Sequence, residues 1–174
     1  MKIVLVGYRA AGKSTLGKMI SEKLAMPYLD IDRGIEERIG EQTLTEFYGQ
    51  VGEDGFRPIE TDVVVEMCRS ERAVIAFGAG SLMRERNQQA AKHNALIVYL
   101  QVPVDELWRR ICSDPNSGHT RPNLAGGGAQ EVEHMLALRE PTYIACAHLV
   151  LDGTQAPEVL LQRVVDSYKA AGGA

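Results

Sequence analysis

Gly7-Tyr8-Arg9-Ala10-Ala11-Gly12-Lys13-Ser14 fits the pattern G-x-x-x-x-G-K-[ST] and follows the apolar run Ile3-Val4-Leu5-Val6, which reads as a short buried strand. In such a loop the glycine-rich backbone turns successive N–H groups inward onto a polyphosphate. Lys13 adds a point charge at the outer phosphates, and the Ser14 hydroxyl is offered to Mg²⁺. Leu16, Met19, Ile20 and Leu24 recur at helical spacing between Thr15 and Ala25, so the phosphates also meet a helix N-terminus. The expected ligand is a purine nucleoside triphosphate with Mg²⁺.

A second constellation is Tyr28-Leu29-Asp30-Ile31-Asp32, with two carboxylates at the end of the second apolar run. Strand spacing would put both on one side. If that strand lies beside the first, its carboxyl end opens onto the crevice of the phosphate loop, where ligands gather in open α/β sheets. Asp30 could then help to hold Mg²⁺, and Asp32 could accept an alcohol proton; the plainer alternative makes Asp32 the cap of a helix through Ile39. Asp152, in His148-Leu149-Val150-Leu151-Asp152, is a rival metal carboxylate, ranked lower because Asp-Gly is a common strand-end turn.

Arg57, in Gly52-Glu53-Asp54-Gly55-Phe56-Arg57, and Arg139, in Leu138-Arg139-Glu140-Pro141-Thr142-Tyr143, could clamp a carboxylate with paired donors. Nothing local shows that they converge, and ordinary surface ion pairs are the simpler alternative. The segment from Ser113 to Gly128 is long, polar and glycine-rich, as a mobile lid would be. Arg121 on such a lid could reach charge developing on the phosphates as closure excludes water.

These groups need a scaffold. Strands are expected at Ile3–Val6, Tyr28–Asp30, Ala73–Phe77, Leu96–Leu100 and Leu149–Leu151, with helices between them. Continuous rather than alternating apolar runs imply a parallel sheet buried on both faces. Thr43 with Glu46 forms a capping box, Gly40 and Gly49 suit helix ends, and Pro157 suits the first turn of the last helix. Trp108 is expected to be packed structure.

The 174 residues suit one domain, 1–174, and a net charge of −4 argues against nucleic acid as the main partner. No run approaches a membrane span or a signal-peptide core, so a cytoplasmic protein is expected. Cys68, Cys112 and Cys146 are odd in number and widely spaced, as reduced thiols would be.

Taken in order, Gly7–Ser14, Asp30-x-Asp32, Gly-Glu-Asp-Gly-Phe-Arg57, Gly78-Ala79-Gly80, Arg121-Pro122 and Arg139-x-x-x-Tyr143 resemble the shikimate kinases over nearly the whole chain. The resemblance implies a three-layer α/β P-loop kinase fold: a five-stranded parallel sheet flanked by helices, with a lid at about 113–128. It implies ATP-dependent phosphorylation of the 3-hydroxyl of shikimate; a monomer with no nucleic-acid or membrane partner is expected. By matching position, Gly7, Ala10, Ala11, Gly12, Lys13, Ser14, Thr15, Arg110 and Arg121 would bind ATP. Asp32, Arg57, Glu60, Gly78, Ala79, Gly80 and Arg139 would bind shikimate, with Asp32 as base and Glu60 orienting the arginines. Lys13 and Arg121 would stabilise the transferring charge, and Ser14 with Asp30 would serve Mg²⁺.

One departure is Ala79, where the family usually has a third glycine; its methyl would exclude a left-handed backbone or crowd the acceptor. Two competitors share the phosphate loop. A gluconate-type kinase need not carry Asp30-x-Asp32 with Phe56-Arg57, and a GTPase-type switch would show D-x-x-G after a strand and N-K-x-D, which are absent here. Lys13→Met is expected to abolish phosphoryl transfer, measured as acceptor-dependent ADP release.

Overall fold

The computed structural model describes residues 1–114 and 128–173. The predicted lid, apart from its flanking residues 113, 114 and 128, and with it Arg121, lies outside the described residues. Five strands, β1 (Lys2–Val6), β2 (Tyr28–Asp30), β3 (Val74–Ala76), β4 (Ala95–Gln101) and β5 (Leu149–Asp152), form one sheet in the order β2-β3-β1-β4-β5. Every pairing is parallel, with Ile3 opposite both Val74 and Leu96, and Asp30 opposite Ala76. Among the described residues seven α-helices flank it: α1 (Lys13–Leu24), α2 (Ile31–Ile39), α3 (Leu44–Met67), α4 (Glu85–Lys92), α5 (Val104–Ser113), α6 (Ala129–Cys146) and α7 (Pro157–Ala170).

The sheet is the core because its central strands are apolar on both faces. All of β1 and β3 is buried, and Leu96, Ile97, Val98, Tyr99 and Leu100 of β4 are at most 6% exposed. Leu16 and Ile20 of α1, Ile31 and Ile35 of α2, and Val63 and Val64 of α3 pack onto it, each at the three- or four-residue spacing of a helix face or beside it. The edge strand departs from the expected two-sided burial: Val150 of β5 is 41% exposed, since β5 has a neighbour on one side only. Trp108 is half-buried and packs against the core, as expected.

Two further expectations are corrected. Strand β2 does not lie beside β1, because β3 inserts between them. Its carboxyl end still opens on the phosphate-loop side, because all five strands run the same way. Gly49 does not end a helix; it lies within α3, whose path breaks instead at Gly52, with φ 66° and ψ −172°. That left-handed φ is accessible to glycine at little cost. Thr43 and Glu46 do form the reciprocal capping box, Gly40 closes α2, and Pro157 opens α7.

Helix α1 lies close on the sheet through Gly17. A Cβ there would stand 2.5 Å from Cε2 of Tyr28 and 3.2 Å from Cδ1 of Leu5. Gly17→Val therefore overpacks this seam and is expected to cost roughly 1–3 kcal/mol, seen as a Tm drop of several degrees by scanning calorimetry.

Candidate active site

The loop between β1 and α1 is shaped by its backbone. Gly7 packs so tightly on β4 that a Cβ would stand 2.8 Å from the Leu100 carbonyl oxygen. Ala10 adopts a left-handed φ of 61°, an uncommon conformation for alanine that concentrates at functional loops. Gly12 caps α1 in the left-handed region with no side-chain cap, and the first turn of α1 holds no acid. The leading N–H groups of α1 are thus left to an external anion. Lys13 Nζ donates to the carbonyls of Gly7 at 2.9 Å and Tyr8 at 2.8 Å, which holds the ammonium over the loop.

This loop floors a cavity of about 930 Å³ that reaches Asp30, Arg110 and the Gly153–Pro157 turn. Arg110 Nη2 donates to the Gly153 carbonyl at 2.9 Å, and Nε pairs with Glu106 at 2.6 Å. Hydrogen bonds from Arg109 and Arg110 hold the Glu106 carboxyl down to about 2, so both arginines keep an ionised partner at neutral pH. Arg110 therefore stands on the wall of this cavity.

The acid pair is built differently from expectation. Strand β2 ends at Asp30 and α2 starts at Ile31, so Asp32 sits in the first helical turn and two-residue strand spacing does not apply. Asp30, not Asp32, is the cap: its Oδ1 accepts from the Asp32 N–H at 3.1 Å. Its Oδ2 accepts from Tyr28 Oη at 2.8 Å and faces Ser14 Oγ at 3.5 Å. Burial pushes the Tyr28 phenol above its ordinary value, so it remains a donor to Asp30. Asp152 is occupied elsewhere, accepting from the Thr154 N–H at 3.0 Å and hydroxyl at 2.7 Å, which hold its carboxyl below the usual range.

A second cavity of about 80 Å³ adjoins the first and shares Arg9, Asp32 and Leu44 with it. Its walls bring together Arg57, Arg139, Glu60, and Gly78 to Gly80. The surface-pair alternative for the two arginines fails, since each is only 8% exposed. Arg57 Nη1 pairs with Glu60 at 2.7 Å and Nε with Glu53 at 3.0 Å. Burial works against the Arg57 charge, but Glu60 and Glu53 outweigh it and hold the guanidinium above its ordinary value. Arg139 lies over the Tyr8 ring, 5.8 Å from its centroid, a cation–π arrangement. Tyr48 and Phe56 meet edge to face at 5.4 Å on the same wall, an apolar surface suited to a carbon ring.

The Gly78-Ala79-Gly80 turn passes close to these groups. A Cβ on Gly78 would stand 2.6 Å from Asp32 Oδ1, and one on Gly80 2.7 Å from Arg57 Nη1. Ala79 does not take a left-handed φ, so its methyl imposes no backbone strain; the expected exclusion does not arise.

Among the residues of this site that went unread in the sequence are Tyr8, Arg9, Tyr48, Ser81 and Glu131. Tyr8 and Arg9 occupy unspecified positions of the loop pattern. Glu131, 4% exposed, lines the second cavity from the first turn of α6, and its sequence neighbours carry no signal of that burial. Ser81 follows the Gly78–Gly80 turn and is wholly buried.

A parallel sheet with an uncapped phosphate loop at its carboxyl edge, joined through one carboxylate to an arginine-lined pocket, defines a small-molecule P-loop phosphotransferase. The shikimate kinase family model matches residues 9–169, and the chain belongs to that family. It is 33% identical to a shikimate kinase of Pseudomonas syringae pv. tomato over 156 residues, covering 89% of this chain and 88% of that one. The solved shikimate kinase of Acinetobacter baumannii in complex with shikimate matches with a TM-score of 0.88 at 31% identity, over 98% of this chain and 93% of its own. A gluconokinase of Sinorhizobium meliloti matches with a TM-score of 0.63 at 20% identity, over 92% of this chain and 87% of its own, a likeness of fold alone.

The close approach at Gly78 yields a test. Gly78→Ala should displace the Asp32 carboxylate and lower kcat at least tenfold while nucleotide affinity by calorimetry stays within about threefold, because a small misplacement of a reacting group is costly.

Proposed function

We propose that this enzyme transfers the γ-phosphoryl group of ATP to the 3-hydroxyl of shikimate. The observation that supports it most is the position of Asp32, on the boundary shared by the phosphate-loop cavity and the pocket holding Arg57 and Arg139. An acid there meets both the terminal phosphate and an alcohol whose carboxylate is anchored behind it.

In this scheme Arg57 and Arg139 bind the acceptor carboxylate, and the Tyr48–Phe56 wall takes the ring face. Asp32 holds the reacting hydroxyl in line and receives its proton as the oxygen attacks phosphorus. The bond from the γ-phosphorus to the bridging oxygen breaks, and ADP leaves. Lys13 and the leading N–H groups of α1 stabilise charge on the phosphoryl oxygens. Thr15, behind Ser14 in the same turn, adds to the nucleotide contact, and Arg110 lies against the base. Arg121, outside the described residues, is assigned to the same developing charge by resemblance only.

The donor set fits Mg²⁺. Among the described residues no group of three or more His, Cys, Asp or Glu could hold a metal ion, but Ser14 and Asp30 present hard oxygens beside the phosphate loop. Mg²⁺ needs few protein ligands, since it keeps several waters and takes the rest from phosphates. Bound there, it would neutralise phosphate charge; Tyr28 and the Asp32 N–H keep the Asp30 carboxylate oriented for it.

ADP release should depend on shikimate and not on gluconate in a coupled assay. Asp32→Asn is expected to lower kcat roughly 10²- to 10⁴-fold while calorimetry still detects nucleotide binding; near-normal turnover would remove Asp32 from this role. Arg57→Ala and Arg139→Ala should each raise the shikimate KM by roughly 10- to 100-fold, and unchanged values for both would refute the clamp.

A further inference from the structure

Each residue of the turn after β3 touches a different group of the site. Gly78 lies against Asp32 and Gly80 against Arg57. The Ala79 carbonyl accepts a hydrogen bond from Tyr143 Oη, which stands one helical turn beyond Arg139 on α6. Ser81 Oγ donates at 2.8 Å to Glu60 Oε1, and the other oxygen of that carboxylate receives Arg57. Ser81 is itself held, since its carbonyl accepts from Asn87 Nδ2 at 2.7 Å and both residues are fully buried. The short 3₁₀ segment Ser81–Met83 packs on both α3 and α6.

Arg57 and Arg139 stand on those two helices and carry like charges, which repel when no anion lies between them. Neither helix alone sets their separation. A common support must do so, and the turn is bonded to both sides: through Ser81 and Glu60 to Arg57, and through Tyr143 to the helix of Arg139.

We propose that the Gly78–Ser81 turn fixes the spacing of the two arginines, with Ser81 and Tyr143 as positioning residues for recognition of the acceptor carboxylate. This rests on the clamp assigned to Arg57 and Arg139 above. Ser81→Ala leaves the buried Glu60 carboxylate short of a donor and free to draw Arg57 off its line. Tyr143→Phe releases the Ala79 carbonyl while keeping the ring beside Tyr99, whose centroid lies 5.2 Å away.

The test compares two acceptors, shikimate and its methyl ester, which offers the arginines no anion. Initial rates give kcat/KM even for a weakly bound acceptor. With shikimate, each variant should lose about 5- to 30-fold in kcat/KM, as expected for one hydrogen bond to a buried group. That loss should fall in KM, with kcat and the ATP KM changed less than about twofold. With the ester, both variants should match the parent within about twofold. Equal losses on both acceptors, or no loss on shikimate, would overturn the proposal. Arg57→Ala and Arg139→Ala serve as the references: if both spare the shikimate KM, the clamp itself is wrong, whereas their losses beside intact Ser81 and Tyr143 variants would sink only the positioning role. Should Ser81→Ala fail to fold, Tyr143→Phe carries the comparison alone.

Discussion

Five parallel strands end on one side, and the phosphate loop, the Asp30–Asp32 acids and the Gly78–Gly80 turn all hang from that edge. Parallel pairing makes this obligatory: each strand must be followed by a connection over a face before the next can enter in the same direction. The loop after β1, the acid after β2 and the turn after β3 therefore open together, although β3 separates the first two strands. Burial of β1, β3 and β4 on both faces anchors that edge, so the loops that carry the site are short and held at both ends.

Around this edge, charge is managed by two different means. On the nucleotide side, cationic character comes largely from backbone, through the uncapped start of α1, supplemented by Lys13. In the second cavity it comes from buried guanidinium groups: Glu60 and Glu53 neutralise Arg57, and Arg139 lies over the Tyr8 ring. Glu60, 2% exposed, is bonded to both Arg57 and Ser81. A buried charge with its partners removed would be strongly unfavourable, so the acids beside Arg57 are conditions for its presence there. Asp32 stands where the two arrangements meet.

Close packing explains residue choices that composition does not. Gly78 and Gly80 are needed because side-chain atoms of Asp32 and Arg57 occupy the space a Cβ would fill. Ala79 sits between them with an ordinary backbone and tolerates a methyl, which is why the alanine interrupts an otherwise glycine-only run without strain.

The phosphate loop, the strand positions, the capping box at Thr43 and the opening of α7 at Pro157 were all legible in the sequence, because each depends on residues within a few positions of one another. The family was legible too, from the order of its short motifs. Strand order was not, nor the switch from strand to helix between Asp30 and Asp32, nor the break at Gly52 in place of Gly49. Those outcomes depend on which distant segments compete for the same backbone hydrogen bonds and the same space. The burial of Glu131, the bond from Ser81 to Glu60 and the meeting of Arg57 with Arg139 likewise required the folded chain. Sequence alone determined which chemical groups exist and what local backbone carries them; only tertiary structure decided which stand within reach, since convergence of remote side chains is a property of packing rather than of neighbouring residues.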